Sequence, residues 1–206
     1  LASGVDALMG TSIRSSPISK SILQSSEALR IVAKYTIGVD DVDVDAATEL
    51  GILVTHCPTE SNWGGVAEGT MAMMLAMLKK PRERDERVKS GAWRDEAIQG
   101  TYLGARTSDD YPGITIGIIG LGRIGSRVAD LLGPWRVRLI GYDPYVDAST
   151  FVLHGVRRVD LSTLLRESDV VSLHVVLTKE TQHMMGAAEL AMMKPSAILV
   201  NTSRGQ

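Results

Sequence analysis

The chain has 206 residues, 44% of them apolar and 22% charged, and a formal net charge of -2. This balance predicts a soluble globular protein and argues against a nucleic-acid or anionic-membrane surface. The longest apolar runs are far shorter than the roughly 20 residues that a membrane span needs.

The first third alternates between strand-like and helix-like segments. Short apolar runs predict three strands, at residues 7–9, 29–33 and 52–55. Helical spacing predicts helices at residues 18–28 and 46–50, with Asp45 as the cap of the second. This alternation predicts a parallel sheet.

A long helix follows at residues 66–80, and it is apolar nearly all round. Such a helix is typically buried between domains or subunits. A polar helix begins at Pro81 and ends at Gly91, and residues 97–112 are rich in turn formers and predict a connector. We therefore expect two domains, residues 1–100 with the linking helix and residues 101–206.

From residue 114 the alternating pattern is stronger. Strands are predicted at residues 114–119, 137–142, 169–176 and 197–201. Helices are predicted at residues 124–132, 161–166 and 187–193. The expected fold class is therefore α/β, with a parallel sheet in each domain.

Both ends of the sequence look cut, since it begins with Leu1 and stops just after a predicted strand. A natural domain rarely stops directly after a central strand, so we expect a fragment of a longer protein. The single cysteine, Cys57, cannot form an internal disulfide, which favours a reducing, cytoplasmic location.

The most informative motif is a glycine triplet, Gly120, Gly122 and Gly125, between a predicted strand and a predicted helix. The first glycine permits a tight turn, the second lets the backbone approach a pyrophosphate, and the third lets the helix pack closely on the strand. Asp143 ends the next strand, where a carboxylate accepts hydrogen bonds from ribose hydroxyls and repels a 2′-phosphate. The motif therefore predicts a Rossmann-type site that binds NAD in preference to NADP.

Several further motifs occur in one order along almost the whole chain. They are GVDDVD at residues 38–43, VAE at 66–68, GIIGLGRIG at 117–125, YDPY at 142–145, SDVVSLH at 168–174 and MKPSAILVNTSRG at 193–205. Together they resemble the D-isomer-specific 2-hydroxyacid dehydrogenase family. The resemblance implies a flavodoxin-like substrate domain, a Rossmann-type cofactor domain and a homodimer. It also implies hydride transfer between NAD and a D-2-hydroxy or 2-oxo acid.

The resemblance also implies residue roles. The substrate carboxylate is expected on the backbone of Thr36, Ile37 and Gly38, and the catalytic arginine is Arg204. The cofactor is expected to contact Thr70, Gly120, Gly122, Arg123, Ile124, Gly125, Asp143, His174, Val175, Val176, Thr202, Ser203 and Arg204. Thr36 stands where the family usually has Gly or Ser, and it is expected to narrow the substrate loop.

The family's general acid, a His paired with a Glu, follows the arginine, whereas this sequence ends two residues after Arg204. We therefore expect a Rossmann domain with its first half present and weak turnover by the chain alone. The alternative is a non-catalytic NAD-binding module, like the corepressors that resemble this family. Continuation of the reading frame into a Glu and a His would favour the enzyme.

No metal site is predicted. The aspartates at residues 40–45 resemble the start of a calcium loop, but Ala46 replaces the required glycine. The four histidines, including His56, lack metal-ligand spacing, so structural or surface roles are expected for them apart from adenosine contact by His174.

Overall fold

The computed structural model describes residues 3–10, 16–93 and 96–205. The chain divides into two compact units, Leu1–Trp63 and Gly64–Gln206. Each unit is built on a parallel sheet, as expected for the α/β class.

The first unit is a three-stranded parallel sheet with two short helices. Its strands are β1 (Ala7–Gly10), β2 (Ile31–Lys34) and β3 (Leu53–Thr55), and its helices are α1 (Lys20–Leu23) and α2 (Val44–Glu49). The strands lie in chain order, with Ala33 of β2 opposite Thr55 of β3. The flavodoxin-like relationship of this unit stays a prediction.

Two details of the first unit differ from expectation. The helix predicted over residues 18–28 is only four residues long, and beyond it the Ser26 hydroxyl donates to the Val5 carbonyl at 2.8 Å, just before β1. The cap of α2 is Asp43 rather than Asp45, since the Asp43 carboxylate accepts from the Ala46 N–H at 3.0 Å.

The second unit contains a five-stranded parallel sheet in the order β6-β5-β4-β7-β8. Its strands are β4 (Thr115–Ile119), β5 (Arg138–Tyr142), β6 (Arg157–Arg158), β7 (Val170–Leu173) and β8 (Ile198–Asn201). Its helices are α3 (Glu60–Lys79), which begins in the first unit, α4 (Pro81–Lys89), α5 (Arg123–Leu132), α6 (Ala148–Leu153), α7 (Leu161–Glu167) and α8 (Ala187–Met192). Counted from β4, this is the 3-2-1-4-5 order of a doubly wound dinucleotide-binding sheet.

The core of the second unit explains why the glycine turn lies where it does. Every residue of β4 is buried, because helices cover both faces of the central strand. β5 and β7 pair with its two sides, and the chain crosses from one side to the other between them. The topological switch point of the sheet, where successive strands begin to be added on the other side, therefore lies at the carboxyl end of β4.

The helix α3 is buried on one side only. Ala67, Met71, Met74 and Leu78 pack in the core of the second unit, whereas Met73 and Met77 are 54% and 58% exposed. The expected burial of this helix between domains or subunits stays a prediction for the exposed face. The helix also begins six residues earlier than predicted, at Glu60.

Candidate nucleotide site and anion-binding loop

The turn after β4 is shaped by Gly120. Its φ is +90°, in the region that only glycine adopts without strain, and a Cβ here would lie 2.8 Å from the His174 carbonyl oxygen. The Gly120 N–H donates to the Tyr142 carbonyl at 2.9 Å. The turn is therefore held between the ends of β5 and β7.

The other two glycines of the triplet have different surroundings. A Cβ on Gly125 would lie 2.0 Å from the Gly120 carbonyl oxygen, so α5 can pack against the turn only with glycine there. A Cβ on Gly122 would meet nothing within 4 Å, so this glycine borders open space. The open side of Gly122 is where a pyrophosphate would approach the backbone.

Helix α5 begins at Arg123, next to this open space. The N–H groups of a first helical turn have no acceptor within the helix, and no described side chain caps this end. Arg123 is exposed and Ile124 half-buried. Free N–H groups and the positive end of the helix dipole fit the diphosphate of a dinucleotide.

Asp143 holds the glycine turn from the neighbouring strand. Its Oδ2 accepts from the Leu121 N–H at 2.8 Å, and its Oδ1 accepts from the N–H groups of Tyr145 at 2.9 Å and Val146 at 3.3 Å. A carboxylate has about four acceptor positions, so acceptor capacity for a ribose hydroxyl remains on Oδ2. The carboxylate thus holds the glycine turn by hydrogen bonds and can also accept a hydrogen bond from a ligand.

His174 lies just after β7, opposite Gly120. Its Nε2 is 2.8 Å from the Ser172 hydroxyl, and its buried Nδ1 has no hydrogen-bond partner among the described residues. Burial lowers the pKa of His174 from 6.5 to about 4, so the ring is neutral at pH 7. Val175 is half-buried and Val176 is exposed. An apolar wall next to a neutral ring suits the adenosine half of a dinucleotide.

Hydrogen bonds hold the loop after β8 at three places. The Asn201 amide donates to the Arg204 carbonyl at 2.7 Å. The Ser203 hydroxyl donates to the Leu173 carbonyl at 2.8 Å. The hydroxyls of Thr202 and Thr70 lie 2.9 Å apart. Asn201 also accepts from the Ser203 N–H at 2.9 Å. This network fixes the backbone that carries Arg204.

Thr70 is fully buried in α3, and its hydroxyl donates to the Val66 carbonyl at 2.8 Å. The Thr202 hydroxyl must therefore donate to the Thr70 oxygen. Thr70 reaches the loop of Arg204 through Thr202, and its direct contact with a nicotinamide stays a prediction.

A cavity of about 400 Å³ lies beside Arg204, at the carboxyl ends of β7 and β8. Its walls include Leu173, Met184, Leu199 and Asn201. Val175, Ser203 and Arg204 line this cavity, whereas the glycine turn and Asp143 do not; the turn and Asp143 follow β4 and β5 at the same carboxyl edge of the sheet.

Tyr145 and Glu180 form a contact that the sequence patterns do not indicate. The Tyr145 hydroxyl hydrogen-bonds the Glu180 carboxylate, and this bond raises the pKa of Tyr145. The two residues follow β5 and β7, the strands on either side of β4. Sequence carries no signal for this pair, because its members are 35 residues apart in different loops.

In the first unit, the predicted carboxylate loop has its carbonyl groups turned to the protein. The Thr36 carbonyl accepts from the Cys57 N–H at 3.1 Å, and the Gly38 carbonyl accepts from the Thr36 hydroxyl at 2.9 Å. The Ile37 carbonyl lies 3.0 Å from His56 Nδ1. No N–H of residues 36–39 donates to another described residue, so the loop presents free donors that fit a carboxylate.

Other kinds of site are not found in the described ranges. Within residues 3–10, 16–93 and 96–205, no group of three or more His, Cys, Asp or Glu side chains is placed to hold a metal ion. None of the helices in these ranges has the length and apolar character to cross a membrane.

Comparison with known proteins agrees with this geometry. Residues 71–206 match the model of the D-isomer specific 2-hydroxyacid dehydrogenase NAD binding domain. The chain is 38% identical over 201 residues to a glyoxylate reductase of Thermococcus litoralis, covering 98% of this chain and 60% of that protein. It is 37% identical over 189 residues to a D-3-phosphoglycerate dehydrogenase of Methanocaldococcus jannaschii, covering 91% of this chain and 34% of that protein.

Comparison with a solved structure indicates the same family. The chain superposes on D-lactate dehydrogenase from Aquifex aeolicus, complexed with NAD and lactic acid, with a TM-score of 0.85 and 33% identity, covering 97% of this chain and 57% of that one. This chain thus spans 60% or less of the length of these three relatives. The chain belongs to the D-isomer-specific 2-hydroxyacid dehydrogenase family, and its residues 71–206 correspond to the family's NAD-binding domain.

Proposed function

We propose that this protein is an oxidoreductase that transfers a hydride between NAD and a D-2-hydroxy acid or the matching 2-oxo acid. One observation carries the proposal. The glycine turn after β4 and Arg204 after β8 lie at the same carboxyl edge of one parallel sheet, where dinucleotide-binding sheets hold their ligand.

The cofactor would lie along this edge. The backbone at Gly120, Gly122, Arg123, Ile124 and Gly125 would hold the pyrophosphate, and Asp143 would accept from the adenosine ribose. Residues 174–176 would border the adenosine, and Thr202 and Ser203, with Thr70 behind Thr202, would border the nicotinamide ribose. NAD supplies the hydride acceptor or donor.

The chain's own residues would orient the substrate. The guanidinium of Arg204 offers paired donors to a carboxylate and an adjacent carbonyl, which fixes the carbonyl carbon relative to the cofactor. The free N–H groups around Thr36, Ile37 and Gly38 would bind the substrate carboxylate. The names of the relatives favour small acids such as glyoxylate, pyruvate and 3-phosphohydroxypyruvate as first substrates to test.

Calorimetry and spectrophotometry together test this function. Wild type should bind NAD more tightly than NADP by tenfold or more, and Asp143→Ala should reduce that preference because the carboxylate no longer repels the 2′-phosphate. NADH oxidation with the three 2-oxo acids measures turnover. Arg204→Gln should abolish turnover, because it removes the paired donors that would orient the substrate.

Two results would contradict the proposal in different ways. Tighter binding of NADP than NAD would refute the role of Asp143. NAD binding without turnover of any 2-hydroxy or 2-oxo acid would favour a non-catalytic NAD-binding module instead.

We further propose that residues 1–100 form the substrate domain with its linking helix and residues 101–206 the cofactor domain. The packing divides the chain earlier, at Trp63, because α3 packs with the core of the second unit. We also propose a homodimer formed through the exposed face of α3, and a cytoplasmic location favoured by the single free Cys57.

A further inference from the structure

We propose that His56 is a positioning residue for the carboxylate loop, and that it acts by fixing the peptide between Ile37 and Gly38. This inference rests on the proposed function of residues 36–38. His56 itself is not proposed to touch the substrate.

The first step is the orientation of the loop's peptides. In a trans peptide the carbonyl of one residue and the N–H of the next point in opposite directions. The carbonyls of Thr36, Ile37 and Gly38 are each held by a donor of the protein, at 3.1, 3.0 and 2.9 Å. The N–H groups of residues 37, 38 and 39 therefore all point away from these donors.

The second step is the identity of each donor. The Thr36 carbonyl is held by a backbone N–H, from Cys57, and the Gly38 carbonyl by a side chain of the loop itself. The Ile37 carbonyl is held by a side chain from outside the loop, His56. A carbonyl oxygen can only accept, so Nδ1 of His56 carries the proton in this bond.

The third step concerns which peptide of the loop rotates most easily and therefore most needs a hydrogen bond to fix its orientation. Gly38 lacks a Cβ, so its backbone meets fewer steric barriers to rotation than that of other residues. The peptide that joins Ile37 to Gly38 can therefore rotate more easily than its neighbours. Rotation would turn the Gly38 N–H away from the carboxylate, and the His56 hydrogen bond opposes this rotation.

His56 is well placed for this task. It follows β3 directly, and β3 is fixed to β2 by parallel pairing up to Thr55. The neighbouring bond from the Cys57 N–H to the Thr36 carbonyl continues this connection beyond the strands. The ring is exposed, so removing it takes little from the apolar core.

NMR titration with oxamate tests the inference without catalysis, because oxamate has a carboxylate next to a carbonyl but accepts no hydride. In wild type, the backbone amides of residues 37–39 should shift on titration. In His56→Ala the dissociation constant for oxamate should rise about tenfold, the effect of losing one well-formed hydrogen bond. His56→Asn should restore binding to within about twofold, because the asparagine Nδ2 donates from nearly the position of Nδ1.

Two controls separate positioning from folding. His154→Ala, which removes a histidine of the second unit, should leave oxamate affinity unchanged. The urea unfolding midpoint and the NAD affinity should be the same in wild type, His56→Ala and His56→Asn. With a 2-oxo acid and NADH, His56→Ala should raise KM and leave kcat unchanged.

The outcomes are distinguishable. Equal oxamate affinity in wild type and His56→Ala would overturn the role of His56 and leave the substrate loop intact. No shift of residues 37–39 in wild type would overturn the proposed substrate site, and the inference with it.

Discussion

His174 shows how a single residue at the sheet edge couples the site to stability. Its Nε2 faces the Ser172 hydroxyl, and desolvation lowers its pKa to about 4. The unfolded chain binds a proton near pH 6.5, whereas the folded protein does so only near pH 4. Above pH 6.5 the ring is neutral in both states and does not lower the free energy of unfolding. As the pH falls from 6.5 to 4, the unfolded chain takes up a proton that the folded protein does not, so the free energy of unfolding decreases.

We expect the free energy of unfolding to fall by up to about 3 kcal/mol over that pH range. Urea unfolding at a series of pH values measures this change. In His174→Gln the side-chain amide can keep the bond to Ser172 but cannot take up a proton, so most of the slope between pH 4 and 6.5 should disappear. His183→Gln, at an exposed position, is the control, and an unchanged slope in His174→Gln would contradict the assignment.

The residue scale also shows the limit of sequence patterns. Asp143 follows directly from its place after the second strand of the motif, although its bond to the Leu121 N–H forms only because β4 and β5 pair. His56 was expected to have a structural or surface role because it lacks metal-ligand spacing, and nothing near it in sequence reveals that Ile37 is its partner. The two are 19 residues apart and meet only because β2 and β3 pair.

At the scale of elements, the connection from β4 to α5 depends on two glycines for different reasons. Gly125 is required for packing, since a Cβ there would overlap the Gly120 carbonyl oxygen at 2.0 Å. Gly122 has a φ of -78° and open space around it, so folding does not require glycine at this position. The sequence motif contains both, and only the structure separates their roles.

Alanine substitutions should separate these two roles experimentally. Gly125→Ala should lower the free energy of unfolding by about 3 kcal/mol or more, because backbone atoms must move. Gly122→Ala should cost less than about 1 kcal/mol, yet weaken NAD binding at least tenfold, because the methyl group faces the space for the pyrophosphate. Urea unfolding and calorimetry measure the two effects, and a stable Gly125→Ala protein would show that the packing argument is wrong.

Element boundaries were predicted best where the pattern was strong. The strand predicted at residues 114–119 corresponds to β4, whose apolar run is buried along its whole length. The helix predicted at residues 18–28 was too long, and α6 and β6 were not predicted. These short elements depend on contacts with neighbours, such as Ser26 with Val5, rather than on a local period.

At the scale of the whole molecule, the exposed face of α3 bears on assembly. Met73 and Met77 are more than half exposed on a helix whose other face is in the core. Exposed methionines next to small residues such as Gly69 and Ala76 form an apolar surface that a second copy of the chain could cover.

If the proposed homodimer forms through this face, the double variant Met73→Asp/Met77→Asp should convert it to a monomer in sedimentation equilibrium, because charges cannot be buried at an apolar contact without a large penalty. Val88→Asp, on the exposed surface of α4, is the matched control and should leave the mass unchanged. Identical masses for wild type and the double variant would refute the interface on α3.

The sequence by itself determined the α/β class, the glycine turn, Asp143 and the position of Arg204. These features are local, because each depends on a strand, a turn and a helix that follow one another in the chain. The tertiary structure alone decided the order of the five strands, the partly exposed state of α3 and the long-range bonds from Thr202 to Thr70 and from His56 to Ile37. The physical reason is that a backbone period depends on neighbours in sequence, whereas the partner of a polar side chain depends on which distant segments the packed core brings together.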